Sequence, residues 1–79
     1  MEELLKILKA FNDSINFESE KGLLTDGIID SVDLVGLVAE LEESYHIDIP
    51  LEEIIPENFD SASDIYQMLK RLTANAGGK

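Results

Sequence analysis

Apolar residues in this chain return every three or four positions in three separate stretches, and no sustained run alternates. Leu4, Ile7, Leu8, Phe11 and Ile15 make one stripe, widened by Leu5. Leu34, Leu37, Val38, Leu41 and Tyr45 make a second, and Ile65, Met68, Leu69 and Leu72 a third. This period gathers each set on one face of an α-helix; a half-buried strand would repeat every second residue. The pattern predicts an all-α fold, an antiparallel bundle of three main helices plus one short helix, with a long loop between helices 1 and 2.

Local signals set the expected boundaries. The first helix is predicted over Glu2 to about Ile15, with Glu2 and Glu3 at the end where the helix dipole favours acids and Asn12, Asp13 and Ser14 weakening the other end. Residues 16–30 lack periodicity and carry Gly22 and Gly27, so they read as a connection. A loop this long in a small domain needs anchors, and Phe17, Leu23, Leu24, Ile28 and Ile29 are the candidates. The second helix is predicted from Ser31 to about Tyr45. Asp30 can cap it, with Asp33 three residues on as in a capping box. Gly36 sits inside it at a cost of about 1 kcal/mol relative to Ala. Pro50 closes the segment by holding Ile49 extended. Leu51 to Ile55 reads as a single helical turn stopped by Pro56. Ser61 or Asp60 then caps a last helix to about Leu72, with Asp64 in its first turn and Lys70 and Arg71 in its last. Residues 1–72 therefore form one domain, and residues 73–79 a flexible tail. The Gly77-Gly78 pair resembles a conjugation tail only superficially, since Lys79 follows it and the body has no strand pattern.

The chain has 79 residues and no cysteine. A domain of this size buries only about 60% of its unfolded surface. Neither a disulfide nor a thiolate metal site can staple it. Its stability rests on aliphatic packing, in keeping with three Phe, two Tyr and no Trp. The net charge is −11, from 17 acidic and six basic residues. A chain so acidic lacks the basic face that nucleic acid demands, and an anionic membrane surface repels it. Its partners should present Lys and Arg. There is no basic start followed by an apolar run, and no apolar stretch long enough to span a bilayer. A cytoplasmic monomer with neither signal peptide nor membrane insertion is expected.

Ser31 stands where the loop becomes the second helix, between Asp30 and Asp33. The backbone amides and positive dipole end of a helix start favour a phosphate there. Serine at such a place also serves commonly as an N-cap. The two acids oppose a phosphodiester and make better sense as handles for a basic enzyme surface.

The run Gly27-Ile28-Ile29-Asp30-Ser31-Val32 resembles the Gly-x-x-Asp-Ser-Leu signature of the acyl carrier proteins and the related D-alanyl and peptidyl carriers. Leu41 to Pro50 is similar to the end of that family's second helix and its Ile-Pro step, and Pro56-Glu57-Asn58-Phe59 to its Pro-Glu-Asn-Phe element. The match runs in order from about Leu4 to Leu72. The resemblance implies a carrier domain with no catalytic residues and no metal. Ser31 would receive 4′-phosphopantetheine from coenzyme A. Asp30, Val32, Asp33, Val35, Glu42 and Glu43 would meet partners: a phosphopantetheinyl transferase, an acyl- or aminoacyl-loading ligase, and downstream transferases with basic docking surfaces. Such carriers serve fatty-acid or secondary-metabolite biosynthesis. Three positions depart from the fatty-acid type: Val32 for the usual Leu, and Gly36 and Leu51 where acids are common. Ile54, Phe59 and Ile65 are bulky where those carriers leave room for a chain. A short or polar cargo is therefore expected to stay outside the bundle.

The competing reading is an acidic helical interaction module with no prosthetic group, which accounts for charge and helices but not for the placement of Ser31. Calcium binding fails because Asp26 to Asp33 lacks the Asp-x-Asp-x-Asp-Gly spacing and the closing Glu. An enzyme is not expected: the one histidine, His46, falls at a helix end, where its role is structural.

Overall fold

The computed structural model describes residues 1–77, and over them the chain is all-helical. Helix α1 spans Glu2–Phe11. It ends a turn before the expected Ile15, because the Asn12 side chain takes over from the helix ladder. Its Oδ1 accepts from Ser14 N at 3.1 Å and from Ser14 Oγ at 2.6 Å while its own backbone turns extended. Asparagine and serine offer the backbone this local alternative wherever they follow a helix.

The loop that follows lies on the core through the residues expected to anchor it. Phe17, Leu23 and Ile29 are buried, and Leu24 and Ile28 are half-buried. Gly27 reverses the chain at φ 73°, with its N–H donated to the Leu24 carbonyl at 3.1 Å. A left-handed conformation there costs glycine nothing and any other residue something.

Helix α2 covers Ser31–Tyr45, as predicted. His46 closes it in the left-handed region, φ 56° and ψ 47°, and donates its N–H to Glu42 O. A short 3₁₀ turn, Leu51–Glu53, follows. Here the expectation of one turn over Leu51 to Ile55 is corrected. The turn ends at Glu53, short of Pro56, and Pro56 instead starts the short helix α3, Pro56–Phe59, at whose first position proline's fixed φ and missing N–H do no harm. Helix α4 spans Ala62–Gly77. Ser61, one of the two expected caps, accepts from Asp64 N at 3.1 Å. The helix continues beyond the expected Leu72, through Ala74, a strong helix former, while the Thr73 hydroxyl bonds back to Leu69 O at 2.8 Å. Of the expected tail, residues 78 and 79 lie outside the described residues.

Helix α1 packs on α2 and α4, and α3 packs on α4. The three predicted stripes meet in one core: Leu4 and Leu8 from α1, Leu37 and Leu41 from α2, Ile65, Met68 and Leu69 from α4, with Phe59 of α3 between them. Replacing a fully buried Phe59 by Ala would cost about 3–5 kcal/mol. That is a large part of the roughly 5–10 kcal/mol available to a domain this small. No helix among the described residues is long and apolar enough to cross a membrane.

Candidate functional site

Ser31 is the first residue of α2, and it is exposed. It is not the cap. Asp30 holds that role: its Oδ1 accepts from Asp33 N at 2.9 Å, and Asp33 Oδ2 accepts in return from Asp30 N at 3.3 Å. The reciprocal pair is a capping box built from two aspartates, worth about 1 kcal/mol to the helix. Ser31 is thus free of structural work. Among the described residues no hydrogen bond engages its hydroxyl, and the amides of Ser31 and Val32 precede the helix's own ladder. A hydroxyl stands beside unspent N–H groups at the positive end of a helix dipole, an arrangement suited to a bound phosphate.

The other expected contact residues divide. Val32 and Val35 point to solvent with 77% and 70% of their surface exposed, large values for branched apolar side chains on a helix. Spaced three apart, they share one face, and Gly36 and Ala39, also exposed, extend it along the helix. The outer surface of α2 nearest Ser31 is therefore apolar, with the charges of Asp30 and Asp33 at its end. Glu43 is exposed farther along the same helix. Glu42 is half-buried and occupied: its Oε2 accepts from Ile49 N at 2.8 Å and ties the end of α2 to the Ile49-Pro50 step. Leu51 is 81% exposed. His46 caps the far end of α2, about 22 Å from Ser31 at 1.5 Å per residue.

The sequence reading missed Asp60 in this setting, having weighed it only as a cap for the last helix. Its carboxylate turns instead to the loop ahead of Ser31. Oδ1 accepts from Leu24 N at 3.1 Å and Thr25 N at 2.9 Å, and Oδ2 from Thr25 Oγ1 at 2.6 Å. These bonds, the hydroxyl of Thr25 first among them, hold the carboxyl below the usual carboxylate range against a smaller opposing effect of burial. The Asp60 carbonyl also accepts from Leu23 N at 2.8 Å. A second unforeseen network joins the 3₁₀ turn, α3 and α4. Arg71 pairs with Glu53 at 3.1 Å, and Asn58 Nδ2 donates to Glu53 O at 2.8 Å and Glu53 Oε1 at 2.9 Å. The only signal for either network was an acid or arginine near a helix end, which does not identify a partner distant in sequence.

No family model matches the chain, and no solved structure does. Curated relatives do, and those compared bear one name, D-alanyl carrier protein. The one from Streptococcus suis is 31% identical over 65 residues, covering 81% of this chain and 82% of the relative. The one from Streptococcus mutans serotype c is 28% identical over 71 residues, 89% and 90% of the two chains. That from Streptococcus equi subsp. equi is 27% identical over 64 residues, 81% of each. The matches span most of both partners, and the helical architecture agrees with a small carrier bundle. On that length and identity, the chain belongs to the carrier-protein family of the D-alanyl carrier proteins.

Proposed function

We propose that this protein carries an acyl or aminoacyl group, with D-alanyl the first choice, on a 4′-phosphopantetheine joined to Ser31. The observation that carries this reading is the division of labour at the start of α2, where Asp30 caps the helix and leaves the Ser31 hydroxyl exposed and unbonded. When bound, the group supplies a terminal thiol that holds its cargo as a thioester. Ser31 Oγ would displace adenosine 3′,5′-bisphosphate from coenzyme A, forming the phosphodiester as the pyrophosphate P–O bond breaks and giving up its own proton. The Asp30 and Asp33 carboxylates are occupied by backbone amides, and His46 is at the wrong end of the helix, so the proton acceptor belongs to the transferase. The Ser31 and Val32 amides and the helix dipole offset the phosphodiester's charge.

The partners are a phosphopantetheinyl transferase, a loading ligase and a downstream transferase. Each would seat Val32 and Val35 in an apolar depression and set Lys or Arg near Asp30, Asp33 and Glu43. Charge gives such encounters speed and salt sensitivity without tight binding, which suits a protein that must serve partners in turn. Tethering the cargo raises its effective concentration at each. D-alanyl as cargo is drawn from the names of the relatives. It accords with Phe59 and Ile65, which are fully buried and occupy the interior that a long acyl chain would need. Intact mass after incubation with coenzyme A and a broad-specificity phosphopantetheinyl transferase tests the reading. The parent should gain one phosphopantetheine and Ser31→Ala none. No gain by folded parent protein with more than one transferase would leave an acidic interaction module.

A further inference from the structure

We propose that Asp60, distant in sequence, is a positioning residue for the chemistry at Ser31. Four hydrogen bonds reach it from three consecutive loop residues. Leu23 N donates to its carbonyl at 2.8 Å, Leu24 N and Thr25 N to Oδ1 at 3.1 and 2.9 Å, and Thr25 Oγ1 to Oδ2 at 2.6 Å. The Leu23 carbonyl in turn accepts from Ile29 N at 2.9 Å, and Ile29 is the residue before the Asp30 cap. A bonded path therefore leads from the Asp60 main-chain carbonyl to the residue that precedes the capping box, and the Asp60 carboxylate holds the next two residues, Leu24 and Thr25, beside it.

The path matters because apolar anchoring alone is non-directional. Leu23 and Ile29 hold the loop onto the core, but such contacts tolerate sliding and rotation. Hydrogen bonds fix distance and angle, and those to a carboxylate are the shorter and stronger kind. Asp60 sets the register in which Gly27 turns the chain and α2 begins, and so the position in which Ser31 meets an incoming phosphate. Small errors in such alignment are costly to group transfer. The docking face of Val32 and Val35 lies on the helix itself, so loosening the loop should affect the reacting geometry more than docking.

The inference rests on the reading of Ser31 as the modified residue, and the test separates the two. Parent, Thr25→Val, Thr25→Ser and Asp60→Asn would be compared at a temperature where circular dichroism shows each folded. The readouts are steady-state modification by a phosphopantetheinyl transferase with coenzyme A, and amide hydrogen exchange at Leu24, Thr25 and Ile29. Thr25→Val and Asp60→Asn should lower kcat for modification by about 3–10-fold with KM for the carrier nearly unchanged. Exchange at the three amides should accelerate in both. Thr25→Ser, which keeps the hydroxyl, should restore both readouts. Parent protein that accepts no arm overturns the Ser31 reading. Parent that is modified while Thr25→Val and Asp60→Asn keep its kcat overturns the role of Asp60 alone, as does a loss that Thr25→Ser fails to restore.

Discussion

Thr25 Oγ1 donates to Asp60 Oδ2 across 2.6 Å, joining residues 35 positions apart and fixing the middle of the first loop to the junction of the last two helices. Because hydrogen bonds hold the Asp60 carboxyl below its usual range, the ionised form is the one the fold prefers. A carboxyl whose folded pKa lies below its unfolded value near about 4 contributes its full stability above that value and loses it as pH falls through the folded pKa. Asp60→Asn should lower stability at pH 7 by about 1–2 kcal/mol, and the gap to the parent should close as pH falls below about 4. Thermal melts of both proteins across pH 2.5–7 check this. Salt near 0.15 M limits the opposing benefit of removing one negative charge from a chain of net −11.

Asp30 and Ser31 should separate cleanly under mutation. Asp30→Ala removes the helix cap and should cost about 1 kcal/mol, whereas Ser31→Ala should leave the urea midpoint nearly unchanged. On the proposed function only Ser31→Ala abolishes arm installation in the mass assay. A large destabilisation by Ser31→Ala would mean that its hydroxyl supports the fold after all.

Gly36 is a site for stabilisation. A Cβ built there meets Phe11 Cε1 at 3.4 Å, an ordinary van der Waals contact with a half-buried ring. Gly36→Ala should stabilise the protein by about 1 kcal/mol through helix propensity, raising the urea midpoint without a change in slope.

At the other end of α2, His46 holds a left-handed conformation at φ 56°. His46→Gly should be stabilising by about 0.5–1 kcal/mol, and His46→Val destabilising, because a β-branched side chain clashes there. Chemical denaturation of the two variants gives the sign of each.

The helical stripes were legible because each faces the same core, and Leu4, Leu8, Leu37, Leu41, Ile65 and Met68 are all fully buried. The start of α2 was legible for a different reason: a capping box lies within four residues and needs nothing from elsewhere. What escaped depends on side-chain partners that apolar spacing does not reveal. Asp60 has the same local signature whether it caps α4 or clamps the loop, and only the return of Leu23 to Thr25 decides between them. Glu42 looked like an exposed recognition acid, but the turn after His46 brings the Ile49 amide back to it. Helix α1 stopped early because Asn12 and Ser14 bonded to each other, a competition that apolar spacing does not register.

The capping box has a consequence for how the carrier would be read by other proteins. Asp30 and Asp33 close α2 without help from Ser31, so on the proposed function exchanging the serine's proton for a phosphodiester would break no bond that shapes the bundle. Empty, armed and loaded forms would then share one surface, and none would announce its state through its fold. On the proposed function, an enzyme that must tell them apart would have to inspect what hangs from Ser31 rather than the face around it.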